Sequence, residues 1–280
     1  YKTKQRGRDG FSFFNVDMQW ESERRLLLKE QLRKAIDDKE FIVYYQPIID
    51  LRTQRIVKCE ALVRWNSAND GLVAPDIFIP IAEEFGYIAF IGEQVLEQVC
   101  IDWQRLRALG HRELTVAVNR SVQEFPRSAA LVTSWLQVIE KYQLSFDSII
   151  FEITESLLAP ENKMYIGALE VLQKAGSGIA IDDFGTGYSS LSYLQRFSVD
   201  ILKIDRSFVS RLTEHGQDNT LVASIIAMAK ALGIKVVAEG IETKRQYEIL
   251  SSMGCEFGQG YFIARPMPLD ALTEFLQHQQ

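Results

Sequence analysis

Cysteine is scarce and unpaired: Cys59, Cys100 and Cys255 are the full set of three, and no two form a CxxC pair. An odd, scattered set argues for free thiols in a reducing compartment and against a disulfide framework. Histidine is as sparse, with only His111, His215 and His278, the last in a polar tail. That argues against a zinc site built from several imidazoles, so any metal has to be held mainly by oxygen, which favours Mg²⁺ or Mn²⁺. No apolar run reaches the roughly 20 residues of a membrane span. Tyr1–Gly10 is polar and basic, unlike a secretory leader. A soluble, cytoplasmic domain is the expectation. Excess positive charge is also missing: the formal net charge is −6 and the pI about 5.3. This argues against DNA or RNA as a partner, since their backbones call for a basic face. A small anionic substrate stays open, because carboxylates gathered around divalent cations make a locally cationic site.

What is present is an ordinary globular composition, 47% hydrophobic and 24% charged over 280 residues, enough for one large core. Tyr1–Phe14 ends in a strand-like Phe11-Ser12-Phe13-Phe14 with no evident partner, and reads as the tail of a preceding domain. A charged helix follows over about Glu21–Lys39, with Leu26, Leu27, Leu28, Leu32 and Ile36 as its apolar stripe. From Phe41 onward, short β-branched runs alternate with helical stretches, the pattern of repeated βα units. The runs are Ile42–Tyr45, Ile56–Trp65, Leu114–Val118, Ile149–Ile153, Ile179–Ile181, Ile201–Ile204, Ile234–Ala238 and Gly260–Ile263. The first stretch runs on to about Leu51, so only Arg52-Thr53-Gln54-Arg55 separates it from Ile56, too short for a parallel crossover, and the two pair as an antiparallel hairpin. The expected fold is α/β: a modified (β/α)₈ TIM-like barrel with one antiparallel strand, spanning residues 41–280. Phe78, Phe85, Tyr87 and Phe90 are expected to pack beneath the barrel mouth, and Cys59 to face away from Glu60 into core.

Most strand runs close on a polar group. Glu60 interrupts Ile56–Trp65, Asn119 follows Val116-Ala117-Val118, and Glu152 and Glu155 close Phe151–Glu155. Asp182 and Asp183 follow Ile179-Ala180-Ile181, Lys203 and Asp205 close Ile201–Asp205, and Glu239 follows Val236-Val237-Ala238. Such groups are costly in an apolar core unless paired or metal-bound. In a parallel barrel the C-terminal strand ends meet at one face, so acids distant in sequence become one cluster. Several carboxylates at close range repel, and divalent cations neutralise them.

The series Glu60-Ala61-Leu62-Val63-Arg64-Trp65, Asn119, Phe151-Glu152-Ile153-Thr154-Glu155, Asp182–Ser190, Lys203-Ile204-Asp205, Glu239-Gly240-Ile241-Glu242 and Gln259-Gly260-Tyr261 resembles the EAL domain family of cyclic di-GMP phosphodiesterases. The resemblance runs over about residues 24–276, with the motifs in family order. It implies hydrolysis of cyclic di-GMP to linear pGpG with two Mg²⁺ or Mn²⁺ ions. By that resemblance Glu60, Asn119, Glu152 and Asp182 hold one ion, and Asp182 bridges to a second completed by Asp183 and Glu239. Lys203 positions the attacking water and Glu239 doubles as general base. Gln46, Leu62, Arg64, Asp205 and Gln259 contact substrate. Glu155 holds the loop from Asp183, and with Glu242 it links the site to a homodimer interface. The loop Phe184–Ser190 reads as mobile, or as a tight turn whose helix is capped by Ser189 or Ser190. Tyr1–Phe11 resembles the last strand region of a GGDEF domain, so residues 1–20 read as a remnant of one and 21–40 as a connecting helix. The full protein then carries an upstream GGDEF or sensory domain and any membrane anchor.

Two other readings use the same residues. A receptor binding cyclic di-GMP without hydrolysing it is set against the complete ligand series. A paired-carboxylate glycosidase accounts for two acids but not for Asn119, Lys203 and the adjacent aspartates.

Overall fold

The structure, a computed structural model, describes residues 16–125, 130–158, 165–185, 194, 199–213 and 217–278. The expected Phe11–Phe14 strand, the GGDEF-like tail up to residue 15 and the Thr186–Ser190 part of the loop lie outside them. Helix α1 (Val16–Asp37) leads into β1 (Phe41–Asp50), β2 (Ile56–Ser67) and the short β3 (Gly71–Val73). Helices α2 (Pro75–Glu84) and α3 (Ile88–Ala108) then precede β4 (Thr115–Arg120), followed by α4 (Ala130–Lys141) and β5 (Ile149–Thr154). Next come α5 (Ile166–Ala175), β6 (Gly178–Phe184), β7 (Ile201–Ile204), the single-turn α6 (Arg206–Val209) and α7 (Gln217–Ala231). The chain ends with β8 (Lys235–Ala238), α8 (Lys244–Ser252), β9 (Phe257–Gly258) and α9 (Leu269–Gln277). No helix among the described residues is long and apolar enough to cross a membrane.

The strands form one sheet in the order β1-β9-β8-β7-β6-β5-β4-β2-β3, and the β1–β2 pairing closes it into a barrel with β3 outside. Strand β1 runs antiparallel to both β2 and β9, while β2 and β4 through β9 run parallel. This is the barrel with one reversed strand that the short β1–β2 connection requires. Asp50 makes the turn: its Oδ1 accepts from the backbone N–H groups of Arg52 (3.0 Å) and Thr53 (2.7 Å). Gln54 there adopts a left-handed φ of 61°.

Period-two alternation sorts the strand residues into two cores. Ile48, Ala117, Ile150, Ala180, Ile201, Val237 and Phe257 fill the barrel interior. The larger core lies between barrel and helices and includes Cys59, Trp65, Phe78, Val118, Phe151, Ile181 and Leu202. Cys59 is therefore core, and all three cysteines are buried and free.

Three expectations need correction. The last barrel strand is Phe257–Gly258, not Gly260–Ile263. Gly260 presses against the backbone of Ile241, and its carbonyl accepts from the N–H groups of Ile263 and Ala264, so the chain turns there. Tyr261 and Phe262 are exposed on that turn; their aromatic side chains mimic a strand without pairing as one. The stripe of α1 is also narrower than expected. Leu32 and Ala35 are buried and Leu28 and Ile36 half-buried, but Leu26 and Leu27 are exposed. Phe78 is fully buried against Phe41 and Trp65, whereas Phe90 is 56% exposed.

Gly260→Ala tests the turn. An added Cβ would collide with the backbone N and O of Ile241, neither of which can swing aside. The variant is expected to lose about 1–3 kcal/mol of stability in a denaturant titration.

Candidate active site

Each strand that supplies an apolar residue to the barrel interior supplies a polar one two positions nearer the rim. Ala117 is followed by Asn119, Ile150 by Glu152, Ala180 by Asp182, Ile201 by Lys203, Val237 by Glu239 and Phe257 by Gln259. In the reversed strand the order inverts, and Ile48 is preceded by Gln46, which lies opposite Glu60 in the β1–β2 register. One repeat distance above the apolar plug, these side chains therefore form a polar layer.

Lys203 stands at its centre, fully buried. Its Nζ lies 2.7 Å from Glu239 Oε1, 2.8 Å from Glu152 Oε2, 3.3 Å from Asp182 Oδ1 and 3.4 Å from Glu60 Oε2. One carboxylate oxygen from each of Glu60, Glu152 and Asp182 lies within 4.8 Å of the others. Glu60 is braced from both sides. Asn119 Nδ2 donates to its Oε1 (2.7 Å), which leaves the Asn119 carbonyl oxygen as that amide's acceptor, and Gln259 Nε2 donates to its Oε2 (2.6 Å). Gln259 Nε2 also reaches Gln46 Oε1 at 3.0 Å, and Gln46 Nε2 donates to the Ala264 carbonyl.

The electrostatics follow from burial and crowding. Burial pushes the Glu239 carboxyl up to about 8, with Asp182 and Glu60 adding to the rise against the pull of Lys203. Burial and the charges of Glu60 and Asp182 likewise push Glu152 well above the carboxylate range. Burial acts in the same direction on Glu60, but Lys203 and the hydrogen bonds from Gln259 and Asn119 outweigh it and hold its carboxyl low. Burial alone would lower Lys203, and the surrounding acids overcome it and raise its pKa well above the usual lysine value. Two carboxylates about 4 Å apart repel by about 4 kcal/mol at an effective dielectric of about 20, so one ammonium does not offset the whole cluster. All the donors are oxygens, the set that suits a hard divalent cation.

Asp183 sits in a bulge. The β6–β7 register passes from Ile181↔Leu202 to Phe184↔Ile204, so β6 carries one extra residue, and Asp183 has a left-handed φ of 55°. Its carboxyl is raised by burial and by Asp182 and Asp205. Glu155 is buried, and its Oε2 accepts from the Gly185 N–H at 2.9 Å, tying the start of the loop to the end of β5.

A cavity of about 220 Å³ opens over the cluster and brings Gln46, Leu62, Glu242 and Gln259 together with Glu60, Asp182 and Glu239. Arg206 and Tyr261 line it too. The site reading left out both, although Arg206 directly follows Lys203-Ile204-Asp205 and Tyr261 closes Gln259-Gly260-Tyr261. A second cavity of about 460 Å³ runs from Leu62, Asn119, Asp182 and Asp183 outward between β2, α2 and α3. Two expected substrate contacts line neither. Arg64 donates from Nη1 to the Val63 carbonyl (2.8 Å) and lies over the Tyr44 ring, and Asp205 Oδ1 caps α6 by accepting from the Ser207 N–H.

A closed barrel with a carboxylate cluster around one lysine defines a class, and its members are recognisable in sequence. The chain belongs to the EAL domain family, which matches residues 29–266. It is similar to the bifunctional diguanylate cyclase/cyclic di-GMP phosphodiesterase MucR of Pseudomonas aeruginosa, 38% identical over 97% of this chain. It is also similar to the cyclic di-GMP phosphodiesterase NbdA of the same organism, 40% identical over 99% of this chain. The chain spans 40% of the length of the first and 35% of the second. A solved structure of the MucR phosphodiesterase in complex with cyclic di-GMP superposes with a TM-score of 0.83 at 38% identity, covering 88% of this chain and 99% of that one.

Lys203→Met tests the electrostatic account. Removing the one ammonium leaves buried carboxylates uncompensated, and the metal-free variant is expected to lose about 3–5 kcal/mol of stability in a denaturant titration.

Proposed function

We propose that the chain is a divalent-metal-dependent phosphodiesterase that hydrolyses cyclic di-GMP to linear pGpG. The observation that carries this reading is the convergence of Glu60, Asn119, Glu152, Asp182 and Glu239 around Lys203 at the mouth of the barrel. The donor set fits a divalent cation: oxygen donors only, crowded within a few ångströms, with more anionic charge than one lysine offsets. A receptor that binds without turnover has no need of this complete set.

Glu60, Asn119, Glu152 and Asp182 would hold one Mg²⁺ or Mn²⁺, and Asp182, Asp183 and Glu239 a second. Bound there, the two ions would neutralise the carboxylates, acidify water and stabilise charge on the phosphoryl oxygens. In the reaction a water oxygen adds to phosphorus, and the P–O3′ bond breaks with its electron pair left on the 3′ oxygen. That oxygen takes a proton from solvent and leaves as a hydroxyl, balancing the proton removed from the attacking water. Lys203, fixed between Glu152 and Glu239, orients the water and favours its hydroxide form by charge. Glu239 accepts the water's proton. Gln46, Leu62 and Gln259 form the wall on which the substrate lies; Arg64 reaches it by releasing the Val63 carbonyl and forking onto phosphate, and Asp205 approaches from the end of β7.

The same reading extends to the larger protein. Residues 1–20 are the end of a GGDEF-like domain and 21–40 a connector to the EAL barrel of 41–280. The chain works as a cytoplasmic homodimer, any membrane anchor lying in upstream segments. Glu155 and Glu242 link the metal centre to the dimer interface, Glu155 through its bond to the Gly185 N–H.

Chromatography of cyclic di-GMP incubated with the purified chain tests the activity: pGpG forms with Mg²⁺ or Mn²⁺ and not with EDTA. Metal-dependent binding without product would instead make the chain a receptor. Glu60→Ala should lower kcat/KM by more than the roughly 10–100-fold typical of losing a mere supporting partner. Arg64→Ala should mainly raise KM. Glu155→Ala is expected to weaken Mg²⁺ binding and dimerisation together, and unchanged values for both in calorimetry and sedimentation would remove the coupling role.

A further inference from the structure

Behind Asn119, on the outer face of the same strand, lies a polar cluster that the reaction does not use. Arg120 is fully buried, with Nη1 2.9 Å from Glu124 Oε2. Its guanidinium lies over the rings of Trp135 (4.3 Å) and Phe151 (5.6 Å). The other oxygen of Glu124 accepts from the Ser121 N–H at 2.9 Å, and Ser121 Oγ donates to Glu83 Oε1 on α2 at 2.7 Å. The interior of α3 accommodates the pair with a glycine: a Cβ on Gly92 would collide with Glu124 Oε2 and lie 2.7 Å from Arg120 Nη1. Glycine inside a helix is less favourable than alanine, so this close approach is made at some expense to α3.

The sheet register shows where such a cluster matters. Strand β4 pairs with β5 as far as Arg120↔Ile153, but with β2 only as far as Ala61↔Val118. Asn119 and Arg120 therefore lie beyond the ladder on one side. There the strand end is held by side chains: Arg120 to Glu124, Glu124 back to the Ser121 backbone, and Ser121 across to α2. Asn119, the residue between the end of the ladder and this cluster, has to present its amide to Glu60 and to a cation within a few tenths of an ångström.

We propose that Arg120, Glu124 and Ser121 are positioning residues for Asn119, a clamp on the free edge of β4 that sets the geometry of the metal centre from outside it. The inference rests on the ligand role proposed for Asn119. An unlinked apolar pair of similar size would fill the same space and keep the fold, because buried ion pairs replaced by well-packed apolar side chains are often neutral for stability. It would not fix the direction of the strand end.

The test is Mn²⁺ binding by calorimetry, with thermal melts, on the wild-type chain, the double variant Arg120→Met/Glu124→Leu and the milder Ser121→Ala. The double variant is expected to melt near the wild-type temperature and to bind Mn²⁺ about tenfold more weakly, the scale of losing an outer partner of a metal ligand. Ser121→Ala should shift affinity in the same direction by less. A folded double variant with wild-type affinity overturns the clamp. If the double variant does not fold, Ser121→Ala decides, and an unchanged affinity there overturns it. A wild-type chain that binds no Mn²⁺ overturns the proposed function and the clamp with it, whereas binding that is normal in wild type and variants alike overturns the clamp only.

Discussion

Lys203 carries its ammonium to the point where Glu60, Glu152, Asp182 and Glu239, arriving from four separate segments of the barrel, would otherwise meet as bare negative charges. A buried lysine surrounded by apolar atoms would lose its proton; here the acids overcome burial and keep it charged. The converse does not hold, since one positive charge faces four carboxyl groups. Burial and the mutual repulsion of the acids push Glu152 and Glu239 upward, toward their neutral forms. With oxygen donors throughout, divalent ions would cover the remaining deficit better. The lysine thus stabilises the rim without balancing its whole charge.

Strand alternation delivers this arrangement. A plug of Ala117, Ile150, Ala180, Ile201, Val237 and Phe257 closes the barrel interior, and the next inward position on each strand is polar. The reversed β1 does not break the pattern, because reading it backwards from Ile48 still places Gln46 in the polar layer beside Glu60. The bulge at Asp182–Asp183 departs from this pattern. A regular strand would send successive aspartates to opposite faces, whereas the extra residue and the left-handed Asp183 keep its carboxyl close enough to be raised by Asp182 and Asp205. The adjoining Gly185 N–H is tied by Glu155, so the strain of the bulge is held from β5.

Much of this was legible in the amino-acid order. Strand runs ending in Asn119, Glu152, Asp182, Lys203 and Glu239 imply one polar rim once a parallel barrel is assumed, and four residues between two strands force the hairpin. Other features were not legible, for identifiable reasons. Gly260-Tyr261-Phe262-Ile263 has strand composition, but only the contact of Gly260 with the Ile241 backbone shows that the chain must turn there. Leu26, Leu27 and Phe90 satisfy helical periodicity, yet burial depends on which neighbour a face meets, and among the described residues they stay exposed. Arg64 follows the family pattern, but its bond to the Val63 carbonyl is a backbone contact that residue type alone does not show.

The two faces of β4 bring these points together. Asn119 points into the rim and Arg120 into the layer beneath the helices, one residue apart, so the alternation that builds the site also connects it to whatever holds the outer layer. Where a strand is paired on both sides, its ladder fixes the inward residue and the outward one need only pack, as Cys59 does behind Glu60. Where the ladder stops short, as it does for β4 beyond Val118, the outward residue inherits the task of fixing direction. A methylene chain alone cannot do this, because apolar contacts are indifferent to small rotations, whereas a buried guanidinium bonded to a carboxylate is not. The charged pair sits at the end of β4 because direction is needed there.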